Sequence, residues 1–429
     1  MQTSCHGFDV ALPTVSQICL LADILPAPAV NPEPLLEIPS MSKRFRSAVA
    51  AVSLAVLSVG PADVSAQAVS AGAPTRYNVY VGTYSEGGSK GIYHSDLDMK
   101  TGKLAKPELA VEVKNASFLA IHPNQRWLYS VNEVSDFQGK PAGAVTGFRF
   151  EKNGKLTEIN QQSSVGAGPC HLAIDPSGKW LLLANYGGGS ATMLPIDADG
   201  KLAPATSFIQ YPAAGSQVSH GHCANFSPDG KYAFICDAGL DKVHQYRLDA
   251  SAGKLVANDP AFVQIGPGSG TGPRHLTFSV DGKHAYVINE TNLTISTLSY
   301  DGGTGVFKVL QTISTVPKDT VNKGFSTAEV VADPNGKFIF GSNRGFDSIA
   351  TFAIDAKTAE LTQVAQQKTG IKIPRNFNVD PTGTYLLAGN QAGDNVMVFR
   401  IDTKTGSLTP TGESIELARP VCIVFLAPR

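Results

Sequence analysis

Short runs of hydrophobic residues recur along the chain from residue 76 onward, and compact polar turns separate them. Leu172–Ile174 and Trp180–Ala184, for example, flank a turn that contains proline, glycine and lysine. Two apolar runs this short, joined by such a turn, predict a β-hairpin. The segments lack the 3.6-residue spacing of an amphipathic helix. We therefore expect a chain that consists almost wholly of short strands.

The hairpin turn repeats at a nearly constant interval. Its six copies, of the form X-Pro-x-Gly-Lys or a close variant, begin at His122, Asp175, Ser227, Ser279, Asp333 and Asp380. A second repeated turn leads into an apolar residue, and its seven copies end at Leu104, Leu156, Leu202, Leu255, Val306, Leu361 and Leu408. A unit of about fifty residues with four short strands is typical of a propeller blade. The sequence predicts an all-β fold, a seven-bladed β-propeller of four-stranded blades over residues 76–427.

The chain ends account for the difference between six turns of one kind and seven of the other. Arg76–Gly82 resembles the second strand of a unit that lacks its first strand. Val421–Leu426 resembles a first strand with nothing after it. Pairing of these two segments would complete a seventh blade and close the ring, which removes a free sheet edge.

The segment before the repeats has the features of a processed leader. Met41–Arg46 is basic, Ser47–Gly60 is apolar but too short to span a bilayer, and Val64–Ala68 offers small residues for cleavage. We predict a secretory signal peptide at residues 41–68, preceded by a misassigned or disordered extension at residues 1–40. A disordered tail with a chance apolar run is the alternative. The prediction implies a periplasmic or secreted protein, with no membrane attachment after processing.

Charge narrows the range of partners. The formal net charge is −1, which offers no general attraction for nucleic acid. We expect a small-molecule substrate held by local charges, no nucleic-acid partner, no cofactor, and a monomer.

Polar residues collect at one end of the predicted innermost strands. Four positions before the hairpin turns stand Phe118, His171, Cys223, His275, Glu329, Asn376 and, by extrapolation, Cys422. Five positions before them stand Ser117, Cys170, His222, Arg274, Ala328, Arg375 and Val421. Such a concentration of ionisable groups on one ring would be costly without a function. The two positions therefore predict a site at the channel mouth.

A column of amides and one carboxylate ends the second strands at the same rim. Its members are Asn132, Asn185, Asp237, Asn289, Asn343 and Asn390. Reflection through each turn pairs Asp237 with His222, Asn289 with Arg274 and Asn390 with Arg375, which would orient those side chains. The alternative is that these residues bond the backbone of their own turns. Just beyond them lie Glu133, Tyr186, Glu290, Arg344 and Gln391.

At these residues the chain resembles the seven-bladed lactonase family, which includes propeller-type bacterial 6-phosphogluconolactonase and fungal carboxymuconate lactonising enzyme. The resemblance spans residues 77–426, and its motifs are Tyr80–Tyr84, Gly168–His171, Ala184–Ser190, His220–His222, Gly272–His275, Ser342–Gly345 and Gly389–Gln391 with Asp394–Asn395. It implies metal-independent opening or closing of a lactone ring by His171, His222, Arg274, His275, Glu329 and Arg375. Asn376 departs from the family, since many relatives have an acid there.

Lactone hydrolysis needs a base that activates water, a donor to the oxyanion and a cation for any anionic substituent. His171 is the first choice for the general base, with Glu329 as alternative or partner. Arg274 and Arg375 can bind a carboxylate, phosphate or oxyanion, and His222 and His275 complete the catalytic contacts. We expect the substrate to be bound by Arg375 together with Asn185, Tyr186, Arg344 and Asn390.

Several alternatives stay open on the sequence alone. The chain could be a muconate-type cycloisomerase, a calcium-dependent lactonase or a binding propeller without catalysis. A nucleophilic Cys170 or Cys223 is another alternative. Cys223 and Cys236 face each other across a predicted hairpin, as a disulfide or as two thiols.

Overall fold

The computed structural model describes residues 74–267 and 269–428. These residues form 28 β-strands and one 3-10 turn, Lys152–Gly154. The strands make seven antiparallel sheets of four strands each, and the predicted seven-bladed β-propeller is confirmed. The predicted leader at residues 41–68 and the extension at residues 1–40 lie outside the described residues. No helix in the described part of the chain is long and apolar enough to cross a membrane.

Each blade takes its four strands in sequence from the channel outward. Blade 1 combines the last strand of the chain with the first three, β28 (Pro420–Leu426), β1 (Arg76–Thr83), β2 (Gly91–Asp98) and β3 (Glu108–Glu112). Blade 2 has β4 (Leu119–Ile121), β5 (Trp127–Asn132), β6 (Ala144–Phe150) and β7 (Leu156–Ser163). Blade 3 has β8 (Pro169–Ile174), β9 (Trp180–Asn185), β10 (Ser190–Pro195) and β11 (Ser207–Gln210).

The other four blades follow the same order. Blade 4 has β12 (Gly221–Phe226), β13 (Tyr232–Asp237), β14 (Lys242–Asp249) and β15 (Lys254–Gln264). Blade 5 has β16 (Pro273–Phe278), β17 (His284–Asn289), β18 (Thr294–Asp301) and β19 (Val306–Ser314). Blade 6 has β20 (Ser326–Ala332), β21 (Phe338–Arg344), β22 (Ser348–Ile354) and β23 (Leu361–Gln367). Blade 7 has β24 (Pro374–Val379), β25 (Tyr385–Asn390), β26 (Asn395–Ile401) and β27 (Leu408–Glu416).

Both ends of the propeller meet in blade 1. Strand β28 pairs with β1 in antiparallel register, with Leu426 opposite Asn78 and Cys422 opposite Gly82. The predicted closure is therefore confirmed. It turns the two incomplete units of the sequence into one complete sheet and pairs the channel-facing edge of β1.

The second repeated turn joins neighbouring blades. Gly200 has a φ of +81°, and a Cβ atom there would lie 2.4 Å from the Trp127 ring of the preceding blade. Gly305 has the same relation to Tyr232. Glycine is required at such positions because the backbone is left-handed and the aromatic ring leaves no space for a side chain. The repeated glycines are therefore required where one blade packs against an aromatic ring of the preceding blade.

A β-bulge interrupts the first strand near its start in several blades. In β16, Pro273 lies opposite Asn289 and His275 lies opposite Ile288, so Arg274 has no partner across the ladder. The same bulge leaves Cys170 in β8, His222 in β12 and Arg375 in β24 without a cross-strand partner. A bulged residue is freed from the alternation of the strand, and its side chain takes a new direction.

The bulge corrects the predicted pairing of the asparagine column. Asp237, Asn289 and Asn390 lie opposite Gly221, Pro273 and Pro374, not opposite His222, Arg274 and Arg375. Reflection through a turn assumes that each residue has one partner, and an extra residue in one strand breaks that assumption.

Candidate active site

The predicted catalytic residues lie together where the first strands meet around the channel. We call His171, His222, Arg274, His275 and Glu329 the channel cluster; all five are buried. The ring centroids of His171 and His275 are 5.0 Å apart, and those of His222 and His275 are 5.1 Å apart. Strands β8, β12, β16 and β20 contribute these side chains, so neighbouring blades build one site.

His275 and Glu329 form a hydrogen-bonded pair inside the cluster. His275 Nδ1 lies 2.8 Å from Glu329 Oε1. Glu329 Oε2 accepts a hydrogen bond of 2.6 Å from Asn376 Nδ2, and Asn376 Oδ1 accepts one of 2.9 Å from the backbone N–H of Ile423. The second ring nitrogen of His275, Nε2, is buried and has no hydrogen-bond partner among the described residues. With its proton on Nδ1, a neutral His275 presents a free lone pair at Nε2.

Burial sets the protonation states of this pair. It raises the pKa of Glu329 to about 7, against the opposing charge of Arg274. Burial and the charge of Arg274 hold the pKa of His275 well below its usual value. Burial and Arg274 act in the same direction on the pKa of His222. Both histidines are therefore neutral near pH 7 and able to accept a proton.

His171 has a different set of contacts from His275. Its Nδ1 accepts a hydrogen bond of 3.3 Å from the backbone N–H of Ala224, and its Nε2 lies 3.5 Å from Cys223 Sγ. Its ring centroid is 3.9 Å from that of Phe118. Both ring nitrogens of His171 are thus engaged by the protein, whereas one nitrogen of His275 is free.

Two arginines share the carboxylate of Glu290 on the open side of the cluster. Glu290 Oε2 is 3.6 Å from Arg274 Nε, and Oε1 accepts a hydrogen bond from Arg344 Nη2. Arg274 Nη1 also donates to the carbonyl oxygen of Ala328 at 2.6 Å. Although burial raises the pKa of Glu290, the two arginines outweigh it and lower that pKa. No role is predicted for Glu290 from the sequence, although its position one residue after Asn289 was an available signal.

Arg375 lacks a carboxylate partner within 4.0 Å in the described chain. Its guanidinium lies over the ring of Tyr84, 5.4 Å from the centroid. The Tyr84 hydroxyl donates to Glu133 Oε2 at 2.9 Å, and Ser117 Oγ donates to the same oxygen. A small cavity lies at this point, lined by Tyr84, Ser117, Phe118, Glu133, Cys170, Arg274, His275, Arg375 and Val421.

The predicted substrate-binding residues divide into two groups. Arg344 and Arg375 are only partly buried, and Tyr186 is 40% exposed beside His222, with ring centroids 5.5 Å apart. These three are more exposed than the residues of the channel cluster. Asn185 and Asn390 do not join them, and a substrate contact for either stays an untested prediction.

The two buried asparagines serve their own blades. Asn185 Nδ2 donates to Ser190 Oγ at 3.1 Å and Thr192 Oγ1 at 3.0 Å. Asn390 Nδ2 donates to the Gly370 carbonyl oxygen at 2.8 Å, and its Oδ1 accepts from the backbone N–H of Lys372 at 2.9 Å. These contacts are local, but they reach side chains and a preceding loop and not, as the alternative expected, the backbone of the residue's own turn.

The described cysteines, Cys170, Cys223, Cys236 and Cys422, are buried free thiols. Cys223 and Cys236 lie directly opposite each other, as predicted, without a disulfide. Within residues 74–267 and 269–428, no three His, Cys, Asp or Glu side chains stand close enough together to hold a metal ion.

A ring of seven blades with a buried His, Arg and Glu cluster in its channel defines a propeller enzyme of the lactonase class. Residues 78–425 match the model of a family described as lactonase, 7-bladed beta-propeller. The chain belongs to this family and is a lactone hydrolase, as predicted from the sequence.

Curated and structural relatives agree with this assignment. The 6-phosphogluconolactonase of Bacillus subtilis is 35% identical over 309 residues, which are 71% of this chain and 85% of the relative. A putative 6-phosphogluconolactonase structure from Bacteroides fragilis is 37% identical, with a TM-score of 0.74 over 82% of this chain and 98% of that one. A periplasmic gluconolactonase of Pseudomonas aeruginosa is 33% identical, with a TM-score of 0.77 over 82% and 100%.

Proposed function

We propose that the protein hydrolyses a sugar or sugar-acid lactone of the 6-phosphogluconolactone type in the channel cluster, without a metal ion and with His275 as the general base. The observation that carries the proposal is the pair in which Glu329 holds Nδ1 of His275 while Nε2 stays free. The names of the relatives from Bacillus subtilis and Bacteroides fragilis support the substrate class.

The geometry supports the following reaction. Nε2 of His275 removes a proton from a water molecule, and the water oxygen attacks the lactone carbonyl carbon. Glu329 stabilises the positive charge that forms on the imidazole, as the carboxylate of a catalytic triad does. Arg274, beside the cavity, stabilises the oxyanion. When the ring C–O bond breaks, the imidazolium returns its proton to the departing alkoxide oxygen, and a hydroxy acid is released.

The partly exposed side chains supply binding. Arg375 carries a positive charge without a paired carboxylate, so it is suited to an anionic group of the substrate. Arg344 and Tyr186 extend the same surface toward solvent. His171, which the sequence favoured as the base, becomes a positioning residue in this proposal, because the backbone of Ala224 already occupies its Nδ1.

A substrate screen with matched histidine variants tests the proposal. We expect the purified protein to open sugar and sugar-acid lactones, phosphorylated or not, in the presence of a strong chelator. His275→Asn should lower kcat by about 10²-fold or more, and His171→Asn should lower it less. His284→Asn, at the outer end of the same hairpin, is the control and should leave kcat unchanged. A larger loss in His171→Asn than in His275→Asn would return the base to His171.

The same screen separates the alternative functions. Formation of a lactone from an unsaturated diacid, with no hydrolysis of sugar lactones, would show a cycloisomerase. Lactone binding without turnover would show a binding propeller. Loss of turnover in chelator, restored by Ca²⁺, would show a calcium-dependent lactonase.

We also propose that the enzyme is exported and acts as a monomer. The basic, apolar and small-residue order of residues 41–68 supports export, and the Pseudomonas aeruginosa relative is named periplasmic. Fractionation of expressing cells should place a protein that lacks residues 1–68 outside the cytoplasm. Light scattering of that protein should give the mass of one chain.

A further inference from the structure

The proposed reaction leaves one buried nucleophile of the channel wall unused. Cys223 Sγ lies 3.5 Å from His171 Nε2 and accepts a hydrogen bond of 3.3 Å from Asn225 Nδ2. Because Nδ1 of His171 accepts from Ala224, a neutral His171 carries its proton on Nε2 and donates it to the sulfur. Two donors thus point at one sulfur atom, an arrangement that favours the thiolate over the thiol.

A second thiol lies within reach of the first. Cys236 on β13 is directly opposite Cys223 on β12, and its thiol is a third hydrogen-bond donor to the Cys223 sulfur. Side chains in such directly opposed positions are neighbours on one face of the sheet, close to the separation that a disulfide needs. Both cysteines are 1% exposed, so only a very small reagent reaches them.

The electrostatic surroundings agree with this geometry. Burial raises the pKa of Cys223, but the hydrogen bonds from Cys236 and His171 outweigh it and hold that pKa well below the usual value for a thiol. Burial raises the pKa of Cys236. One cysteine of the pair is therefore ready to attack while the other keeps its proton.

Cys170 provides an internal comparison. It is also buried beside a histidine, with Sγ 3.8 Å from His222 Nδ1, but its sulfur faces the carbonyl oxygens of Ala184, Gly221 and His222. Burial raises its pKa. Donors surround the sulfur of Cys223, whereas acceptors surround that of Cys170, which makes Cys170 the unreactive thiol of the two.

We propose that Cys223 and Cys236 form a peroxide-reactive dithiol site that reversibly switches off the lactone hydrolase. The Cys223 thiolate attacks one oxygen of hydrogen peroxide, the O–O bond breaks, and the released hydroxide takes up a proton to become water. The Cys223 sulfenic acid is then attacked by the sulfur of Cys236, whose proton leaves with the hydroxyl group as a second water molecule. The resulting disulfide is reduced back to two thiols by an added dithiol.

The effect on hydrolysis passes through His171 and rests on the proposed function. In a disulfide the Cys223 sulfur is neutral and no longer a negatively charged acceptor. His171 Nε2 therefore loses its hydrogen-bond partner. The His171 ring is in contact with both Phe118 and His275. When the His171 ring changes position, it therefore displaces the ring of His275, the proposed base, and lactone turnover falls.

Peptide mapping tests the site without reference to activity. Reduced folded protein is treated with hydrogen peroxide, and the peroxide is removed. The protein is then unfolded, alkylated and digested with trypsin, which cleaves after Lys231 and separates the two cysteines into different peptides. We expect one disulfide-linked pair of those peptides, with Cys170 and Cys422 still alkylated. In Cys236→Ala the sulfenic acid on Cys223 should persist and react with dimedone that is present when the protein is unfolded. In Cys223→Ala neither product should form.

The outcomes separate the chemistry from its consequence. Preferential oxidation of Cys170, or no oxidation of Cys223 in the folded protein, overturns the site. If lactone turnover is unchanged in the fully disulfide-linked protein, the switch is overturned. The switch is supported if wild-type turnover falls on oxidation and returns with dithiothreitol, while Cys236→Ala forms no linked pair. If no lactone is turned over under any condition, the proposed function fails, and the peptide map still decides whether the dithiol site exists.

Discussion

The channel cluster and the asparagine column, which ends the second strands from Asn132 to Asn390, lie at the same end of the blades. They differ in how much the residue type changes from blade to blade. The column places Asn or Asp at the end of the second strand in six blades, and its amides bond loops of their own or the adjoining blade. The two strand positions that supply the cluster hold different types of residue from blade to blade, among them His, Arg, Glu, Cys, Phe and Ala. Atoms of the cluster bond across blades, as His275 does to Glu329, and one of them remains free.

This difference shows how a site can be recognised in a repeat protein. A polar residue that returns in nearly every unit serves what the units share, which here is the connection between strands. A position whose residue changes from unit to unit is free to serve something that the ring needs once. Departure from the repeat, more than polarity, marks the channel cluster as the candidate site. Four predictions test the distinction, in decreasing order of their effect on turnover.

Removing the charge of Glu329 should have the largest effect. Glu329→Gln keeps the size of the side chain but cannot stabilise an imidazolium at His275, so kcat for lactone hydrolysis should fall by about 10²- to 10³-fold. Steady-state kinetics measures the change. Glu360→Gln, on the exposed surface, is the matched control. A fall of less than about threefold in Glu329→Gln would contradict a role for the pair in proton transfer.

Arg375→Met should act on binding. Loss of a charge-assisted contact worth about 1.5–3 kcal/mol raises KM for an anionic lactone by roughly 10- to 100-fold. An uncharged lactone should be affected little. Arg400→Met is the matched control, since Arg400 also lies over a tyrosine ring, 4.8 Å from the centroid of Tyr385, but is exposed. An equal rise in KM for charged and uncharged lactones would show that Arg375 does not bind the anionic group of the substrate.

Acidification should reduce hydrolysis before it unfolds the protein. The raised pKa of Glu329, about 7, means that the pair takes up a proton as the pH falls through neutrality. The active combination of neutral His275 and ionised Glu329 is then lost, and kcat/KM should drop by about tenfold for each further pH unit. Initial rates between pH 5 and 9, corrected for spontaneous lactone opening, measure the profile. Activity that is constant down to pH 5 would exclude Glu329 as the titrating group.

Asn343→Ala should change turnover least. Asn343 donates to the Thr315 carbonyl oxygen and Ser348 Oγ, both at 3.1 Å, and accepts from Thr315 Oγ1 at 2.6 Å. Its loss should lower the free energy of unfolding by about 1–3 kcal/mol, with kcat nearly unchanged. Denaturant unfolding and kinetics on the same sample measure both, with the exposed Asn322→Ala as control. A large fall in kcat without loss of stability would place the column in the site.

The propeller could be predicted from sequence because its signals are local and repeated. Turn residues and short apolar runs give the strand order, and the unmatched strands at Arg76 and Pro420 give the closure. The orientation of the site residues could not be predicted in this way. The extra residue in the bulge at Arg274 places Pro273, not Arg274, opposite Asn289, and neither the bulge nor the free nitrogen of His275 has a sequence signal. Those details depend on contacts between blades that are distant in sequence.

The pairing of β28 with β1 also bears on when the protein can fold. Blade 1 lacks its innermost strand until synthesis has reached Leu426, so the first strands made must wait for the last ones. An emerging chain can form single hairpins, but contacts of such long range form late because of the loop that must be closed. The ring thus stays open until release from the ribosome. The export that we propose would require an extended chain at the membrane, and closure by the final residues would delay folding until the whole chain is available.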